Sequence, residues 1–153
     1  TSLSKLPDPE VEARVTLRVG RRRALTRRNA PEMLALIGEG ALRSMTGGPE
    51  VMRDQLDMLL KLERELPNLR IKVVELGVDY HDGSNGPFHL YRFANRTPIV
   101  YCEHLRGSVF ITERFDVEAY ESTVGELVKL AVDDEPEKSD KSLALIASIR
   151  DSL

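Results

Sequence analysis

The sequence predicts a mixed α/β (α+β) domain: a strand–helix–strand unit and an antiparallel three-strand meander, joined in one mixed sheet and flanked by helices. Three observations carry that expectation. Between Leu34 and Leu76, two short apolar runs bracket a long segment of helical periodicity. Residues 88–112 hold three β-prone runs separated by loops of hairpin length. Beyond Phe115 the apolar residues recur at helical spacing.

Taken in order, residues 1–10, with Pro7 and Pro9, read as a linker or frayed lead-in, and residues 11–153 as a single domain. Val11, Ala13, Val15, Leu17 and Val19 alternate as a strand would. The Arg/Ala-rich turn that follows, the helical step continued through Ala24 and Leu25, and the stop at Asn29-Ala30-Pro31 favour a helix instead. Gly20 is its weak point. Leu34-Ala35-Leu36-Ile37, closed by Gly38, fits a strand buried on both faces and therefore a central one. Residues 39–43 follow as a single helical turn at the C-terminal end of that strand, where open α/β sheets bind ligands.

Residues 51–66 place Met52, Leu56, Leu59, Leu60 and Leu66 at helical spacing, with Asp57, Lys61 and Glu65 of alternating sign on the outer face. Gly48 and Pro49 suit the start of this helix, and Pro67-Asn68 ends it. Ile71, Val73, Val74 and Leu76 then form a second strand, parallel to the first through a right-handed crossover. The turn pairs Asp82-Gly83 and Asn85-Gly86 make residues 77–87 a loop or flap. Strands are expected over 88–93, 99–103 and 108–112. A helix from Phe115 carries Val117, Tyr120, Val124, Leu127 and Ala131 on one face and stops at residues 133–136. A last helix, capped by Ser139 or Asp140, presents Leu143, Ile146, Ile149 and Leu153.

With 153 residues, 41% hydrophobic and 31% charged, the chain is long enough for one well-filled core. No apolar run approaches the ~20 residues of a membrane helix and no signal sequence opens the chain, so the expectation is a cytoplasmic protein with no membrane partner. The lone Cys102 excludes an internal disulfide and a multi-cysteine zinc site. Glycine-rich phosphate loops, nucleophile elbows and zinc-protease signatures are absent, and no cofactor is expected. Charge is distributed unevenly. Seven of the 22 basic residues (Arg14, Arg18, Arg21, Arg22, Arg23, Arg27, Arg28) lie in one stretch with no acid between Glu12 and Glu32, leaving 15 against 25 acids elsewhere. Such an element can bind phosphate, nucleic acid or an acidic partner; without interleaved aromatics, docking on the domain's own acidic surface is favoured over nucleic acid.

Glu39 and Glu103 are the leading site candidates, since each lies at or just beyond the end of an apolar strand, where a carboxylate must be paired or wet. Arg43, four residues after Glu39, can partner it, either as a brace for the turn or as part of a ligand site. If the two glutamates converge, they can hold a cation or work as acid and base. His89 and Tyr91 share a strand face and can line a pocket. Cys102 and His104 have the spacing of two metal ligands or of a thiolate and its base, but lack a third ligand, so a buried cysteine beside a strand-end histidine is the plainer reading. His81-Asp82 is similarly read as turn chemistry before an oriented base.

Several of these segments together resemble the C-terminal domain of unknown function that follows the helix-turn-helix in Xre-type (Scr-type) bacterial transcriptional regulators. The resemblance rests on Arg18-Val19-Gly20-Arg21-Arg22, on residues 36–43, on Val51-Met52-Arg53-Asp54-Gln55-Leu56, on Gly86-Pro87-Phe88-His89-Leu90, on Ile99-Val100-Tyr101-Cys102-Glu103 and on Ser142-Leu143. The chain departs from that pattern in lacking the helix-turn-helix and the domain's usual first segment, as a truncated piece or a stand-alone relative would. Arg22 also stands in place of Gln, and Lys141 in place of Glu. The resemblance implies a homodimeric regulator, often encoded beside a small partner protein and contacting DNA only through the missing helix-turn-helix. A ligand- or partner-sensing domain without catalysis is the expected function. Glu39, Arg43, His89, Tyr91 and Glu103 are its expected ligand-binding residues, and Arg18, Arg21 and Arg22 its partner-binding ones. The alternatives are a stand-alone enzyme that converts a metabolite in the strand-end cleft, and a pure dimerisation scaffold.

Overall fold

The computed structural model describes residues 8–104, 107–132 and 140–153. In chain order the elements are α1 (Asp8–Arg21), α2 (Arg23–Thr26), β1 (Met33–Gly38), α3 (Glu39–Leu42), α4 (Pro49–Glu65) and β2 (Leu69–Val74). A 3-10 turn (Asp82–Asn85) follows, then β3 (Phe88–Phe93), β4 (Arg96–His104), β5 (Gly107–Ile111), α5 (Arg114–Leu130) and α6 (Asp140–Asp151). Of the expected lead-in, residues 1–7 lie outside the described residues and Asp8 already belongs to α1. The expected helix stop at residues 133–136 and the Ser139 cap also lie outside them.

The core is built on β2. Because side chains alternate along a strand, Leu69, Ile71 and Val73 turn to one side and pack with Leu42, Leu56 of α4, and Ile146 and Ile149 of α6. Val74 turns to the other side, against Leu127 and Ala131 at the end of α5. A strand covered on both faces reads as an almost unbroken apolar run, and β2 does so apart from Lys72, which is 0% exposed yet not without a partner. β1 pairs with β2 in parallel, from Met33 opposite Leu69 to Gly38 opposite Val74. The crossover is α4, opened by Gly48 at φ 94° and Pro49 in the first turn.

Two expectations are corrected. β1 is not the central strand: its only ladder partner among the described residues is β2, and Met33 and Leu34 are exposed. The buried position belongs to β2, whose outer edge is closed by side-chain and loop groups. Val132 N–H donates to the Val73 carbonyl at 3.0 Å, the fully buried Ser142 Oγ accepts the Val73 N–H at 3.0 Å, and Val74 bridges Ala131. The strands also do not join in one mixed sheet. They divide into a parallel pair and an antiparallel β3-β4-β5 sheet, because the β2 edge to which the meander would add is already occupied.

The meander's inner face, Phe88, Leu90, Val100, Cys102 and Ile111, packs on Val117 and Tyr120 of α5. Phe88 meets Tyr120 edge-on at 4.9 Å. The first half of α5 therefore covers one sheet and its last turns cover the other. The 77–87 segment is the expected loop, largely exposed, and it touches α5 at its 3-10 turn, where a Cβ added at Gly83 would stand 2.9 Å from Leu127. α1 is the outlier. Apart from Val11, its side chains from Glu12 to Arg21 are exposed, and the turn after it is fastened by Asn68, whose amide donates to the Pro31 carbonyl at 2.8 Å and the Leu25 carbonyl at 3.3 Å.

Candidate functional site

Glu39 opens α3 directly after β1 and is only 8% exposed. Its Oε1 accepts from both Nε and Nη2 of Arg43 at 2.6 Å, and its Oε2 accepts the Leu76 N–H at 2.8 Å. The carboxylate thus ties the chain leaving β1 to the chain leaving β2. Its pKa lies below the ordinary carboxylate value, chiefly through the Leu76 N–H, then through the Arg43 hydrogen bond and charge, which together outweigh the opposing effect of burial. Glu39→Ala is expected to cost about 2 kcal/mol, since Leu76 N–H and Arg43 lose a charged acceptor. Because the folded pKa is depressed, this contribution is present above about pH 4.5 and lost as pH falls below it. The melting-temperature gap between wild type and variant should therefore be full at pH 7 and close towards pH 3.

Glu103 is the next-to-last residue of the meander's middle strand and pairs with Arg18 of α1 at 3.5 Å, both side chains being exposed. Glu39 and Glu103 close strands of different sheets and hold different arginines, so the structure does not gather them into a common acid–base pair. Arg21 and Arg22 are exposed near the junction of α1 and α2.

The outer face of the meander is aromatic. Register places His89 opposite Tyr101, and Tyr101 opposite Phe110, making one row across all three strands. The ring centroids are 5.9 Å apart for His89–Tyr101 and 5.0 Å for Tyr101–Phe110, and Tyr91 stacks on His89 at 6.1 Å. Glu103 belongs to the same face, two residues beyond Tyr101. Of the expected site residues, the structure brings His89, Tyr91, Glu103 and Arg18 to this side of the meander, and leaves Glu39 and Arg43 at the end of the parallel pair. Tyr101 and Phe110 are the residues the sequence reading missed. The signal was available in the alternation of β4 and β5, but it needed the strand register to become a row.

The remaining candidates are placed as follows. Cys102 faces inward with its Sγ 3.6 Å from the Tyr120 hydroxyl, whose pKa is raised by that hydrogen bond and by burial, while His104 is exposed. Among the described residues no group of three or more His, Cys, Asp or Glu is arranged to hold a metal ion. His81 sits just before the 3-10 turn with a buried Nδ1 that lacks a hydrogen-bond partner. An open groove of about 320 Å³ runs between the start of β4 and the start of α5, lined by Thr97, Pro98, Arg114, Val117, Glu118 and Glu121. Its acids are taken up by neighbours, Glu118 by Arg114 at 2.7 Å and Glu121 by Arg92 at 3.0 Å.

Fold and surface define a small mixed α/β domain with an exposed aromatic sheet face beside a basic helix. The chain belongs to the family described as Domain of unknown function (DUF5753), whose model matches residues 1–145. Searches of curated proteins and of solved structures returned no significant match. No helix among the described residues is long and apolar enough to cross a membrane.

Proposed function

We propose that this chain is a regulatory domain that senses a partner or ligand by surface recognition, and that it serves an Xre-type helix-turn-helix regulator in the cytoplasm. The observation that carries the reading is the aromatic row His89–Tyr101–Phe110, with Tyr91 stacked beside it: His89, Tyr91 and Phe110 are exposed, Tyr101 is half-buried between its neighbours, and the Arg18–Glu103 pair borders the row. Aromatic side chains concentrated on one exposed face, with a charged rim, have the makeup of a docking surface. On this reading His89, Tyr91 and Glu103 contact the partner, with Arg18, Arg21 and Arg22 contributing charge from α1. Glu39 and Arg43 hold the strand ends that frame the domain. The enzyme alternative has less support: both Glu39 oxygens are engaged, its pKa is lowered and not raised towards neutrality, and Glu103 is exposed and paired.

The test is a transcriptional reporter driven by the regulator in its own host, comparing wild type with a Tyr91→Ala/Phe110→Ala variant. Loss of regulation with a melting temperature within a few degrees of wild type is the expected result. Unchanged regulation would overturn the assignment of this face, and turnover of a metabolite by the purified chain would overturn the non-catalytic reading.

A further inference from the structure

Docking on the domain's own acids accounts for Arg18, which meets Glu103, but not for the arginines that follow it. Arg21, Arg22, Arg23, Arg27 and Arg28 are exposed and make no ion pair or side-chain hydrogen bond among the described residues. They do not hang on a loose tail, because the Asn68 amide donates to the Leu25 and Pro31 carbonyls on either side of Arg27 and Arg28. Five free guanidinium groups within eight residues, with no acid between Glu12 and Glu32, concentrate positive charge at one place on the surface.

The sheet beside them offers rings and almost no opposing charge. Glu103 is the only acid in β3, β4 and β5, and it is already paired with Arg18. On the outer face Phe110 is 63% and Tyr91 47% exposed, with His89 exposed between Tyr91 and Tyr101. The Arg18–Glu103 contact joins the two features. Glu103 lies two residues from Tyr101 on the aromatic face, and Arg21 lies about one helical turn, ~5 Å, beyond Arg18. The sequence interleaves no aromatics with its arginines; the fold brings them together from different segments.

We infer that this surface binds single-stranded nucleic acid, with bases stacked on Tyr91, His89 and Phe110 and the phosphates carried onto the arginines between Arg21 and Arg28. This rests on the reading of the aromatic face as a docking surface and names its partner. A single strand presents what both halves of the surface need: open base faces for the rings, and one phosphate per nucleotide for the guanidinium groups. The basic stretch from Arg14 to Arg28 holds seven arginines and no lysine, which suits forked, bidentate contact with phosphate. A duplex keeps its base faces in the stack, so it would engage the arginines and leave the rings unused. An acidic peptide would satisfy the arginines without calling on a row of rings.

The experiment is fluorescence anisotropy of labelled twelve-nucleotide oligo-dT and oligo-U, titrated with the purified chain up to about 200 µM in roughly 50–300 mM NaCl. Binding of either strand is expected, with a preference for oligo-U assigning RNA and a preference for oligo-dT assigning DNA. Log affinity should fall against log salt with a slope of about −2 to −3.5, as three to five arginines each neutralise a phosphate. Phe110→Ala should weaken binding at least about fivefold and leave that slope unchanged. Arg22→Ala/Arg27→Ala should weaken binding and flatten the slope by about 1.4. All three positions are exposed, so circular dichroism and melting should match wild type. No binding of either strand, a Phe110→Ala variant that binds like wild type, a preference for a twelve-base-pair duplex, or displacement of the strand by an equal charge of poly-glutamate would each overturn the inference. Regulation lost in the reporter with Tyr91→Ala/Phe110→Ala while neither strand binds would remove nucleic acid as the partner and leave the docking-surface reading standing.

Discussion

Leu56→Asp is expected to abolish the folded state at 25 °C. Leu56 is buried in the middle of α4, packed in the cluster that holds Leu69, Ile71 and Val73 of β2 with Ile146 and Ile149 of α6. Removing the side chain forfeits about 2–3 kcal/mol of apolar burial. The carboxylate that replaces it would enter an apolar cluster, where an uncompensated charge costs several kcal/mol more. Together these match or exceed the lower part of the ~5–15 kcal/mol by which a domain is stable. Circular dichroism should lose its cooperative thermal transition and proton spectra their dispersed methyl signals. The control is Val51→Asp in the same helix: Val51 is exposed, and the change should stay within about 0.5–1 kcal/mol. A cooperative transition in Leu56→Asp within ~5 °C of wild type would mean that α4 is not what holds β2.

The parts of the fold that could be read from the sequence are those fixed by local periodicity. The β1–α4–β2 unit follows from apolar spacing between Leu34 and Leu76, and the meander from runs broken by short polar loops. Which edges meet is a long-range choice and left no local trace. Ser142 lies far along the chain from Val73, yet its hydroxyl, with Val132 N–H, closes the β2 edge and so separates the two sheets. Lys72 makes the same point from inside a strand. Sequence pattern gives a lysine between Ile71 and Val73 no sign of burial, yet Lys72 is fully buried.

The candidate site divides in the same way. That Arg43 would pair with Glu39 follows from a four-residue spacing on one turn, and the pair forms. The second partner, the Leu76 N–H, belongs to a strand end that approaches only when β1 and β2 pair, and it changes Glu39 from an available carboxylate into a tie. His89 and Tyr91 were readable as neighbours on one strand face, whereas the row through Tyr101 and Phe110 exists only in register across β3, β4 and β5. The solvent exposure of that row depends in turn on α5 taking the opposite face of the sheet.

Removing residues 146–153 is expected to have an effect comparable to Leu56→Asp, although the family match ends at residue 145. The core does not end there. Ile146 and Ile149 are buried against Leu56, Ile71 and Val73, and Leu153 packs at the rim of the same cluster. Losing the two isoleucines alone costs about 4–10 kcal/mol on the scale of large-to-small core changes, before the newly wetted faces of Leu56 and Ile71 are counted. The remnant of α6 from residue 140 to 145 would be too short to persist without that packing, so Ser142 would no longer be held at the Val73 N–H and the β2 edge would open. The polar contact of α6 with α4 contributes little beside this. Arg150 meets Asp57 at 2.8 Å near solvent, and Arg150→Ala should cost no more than about 1 kcal/mol. Urea denaturation and limited proteolysis separate the two causes. If packing dominates, the shortened chain is digested from the native buffer while Arg150→Ala resists like wild type; if the ion pair dominated, the two would fail together.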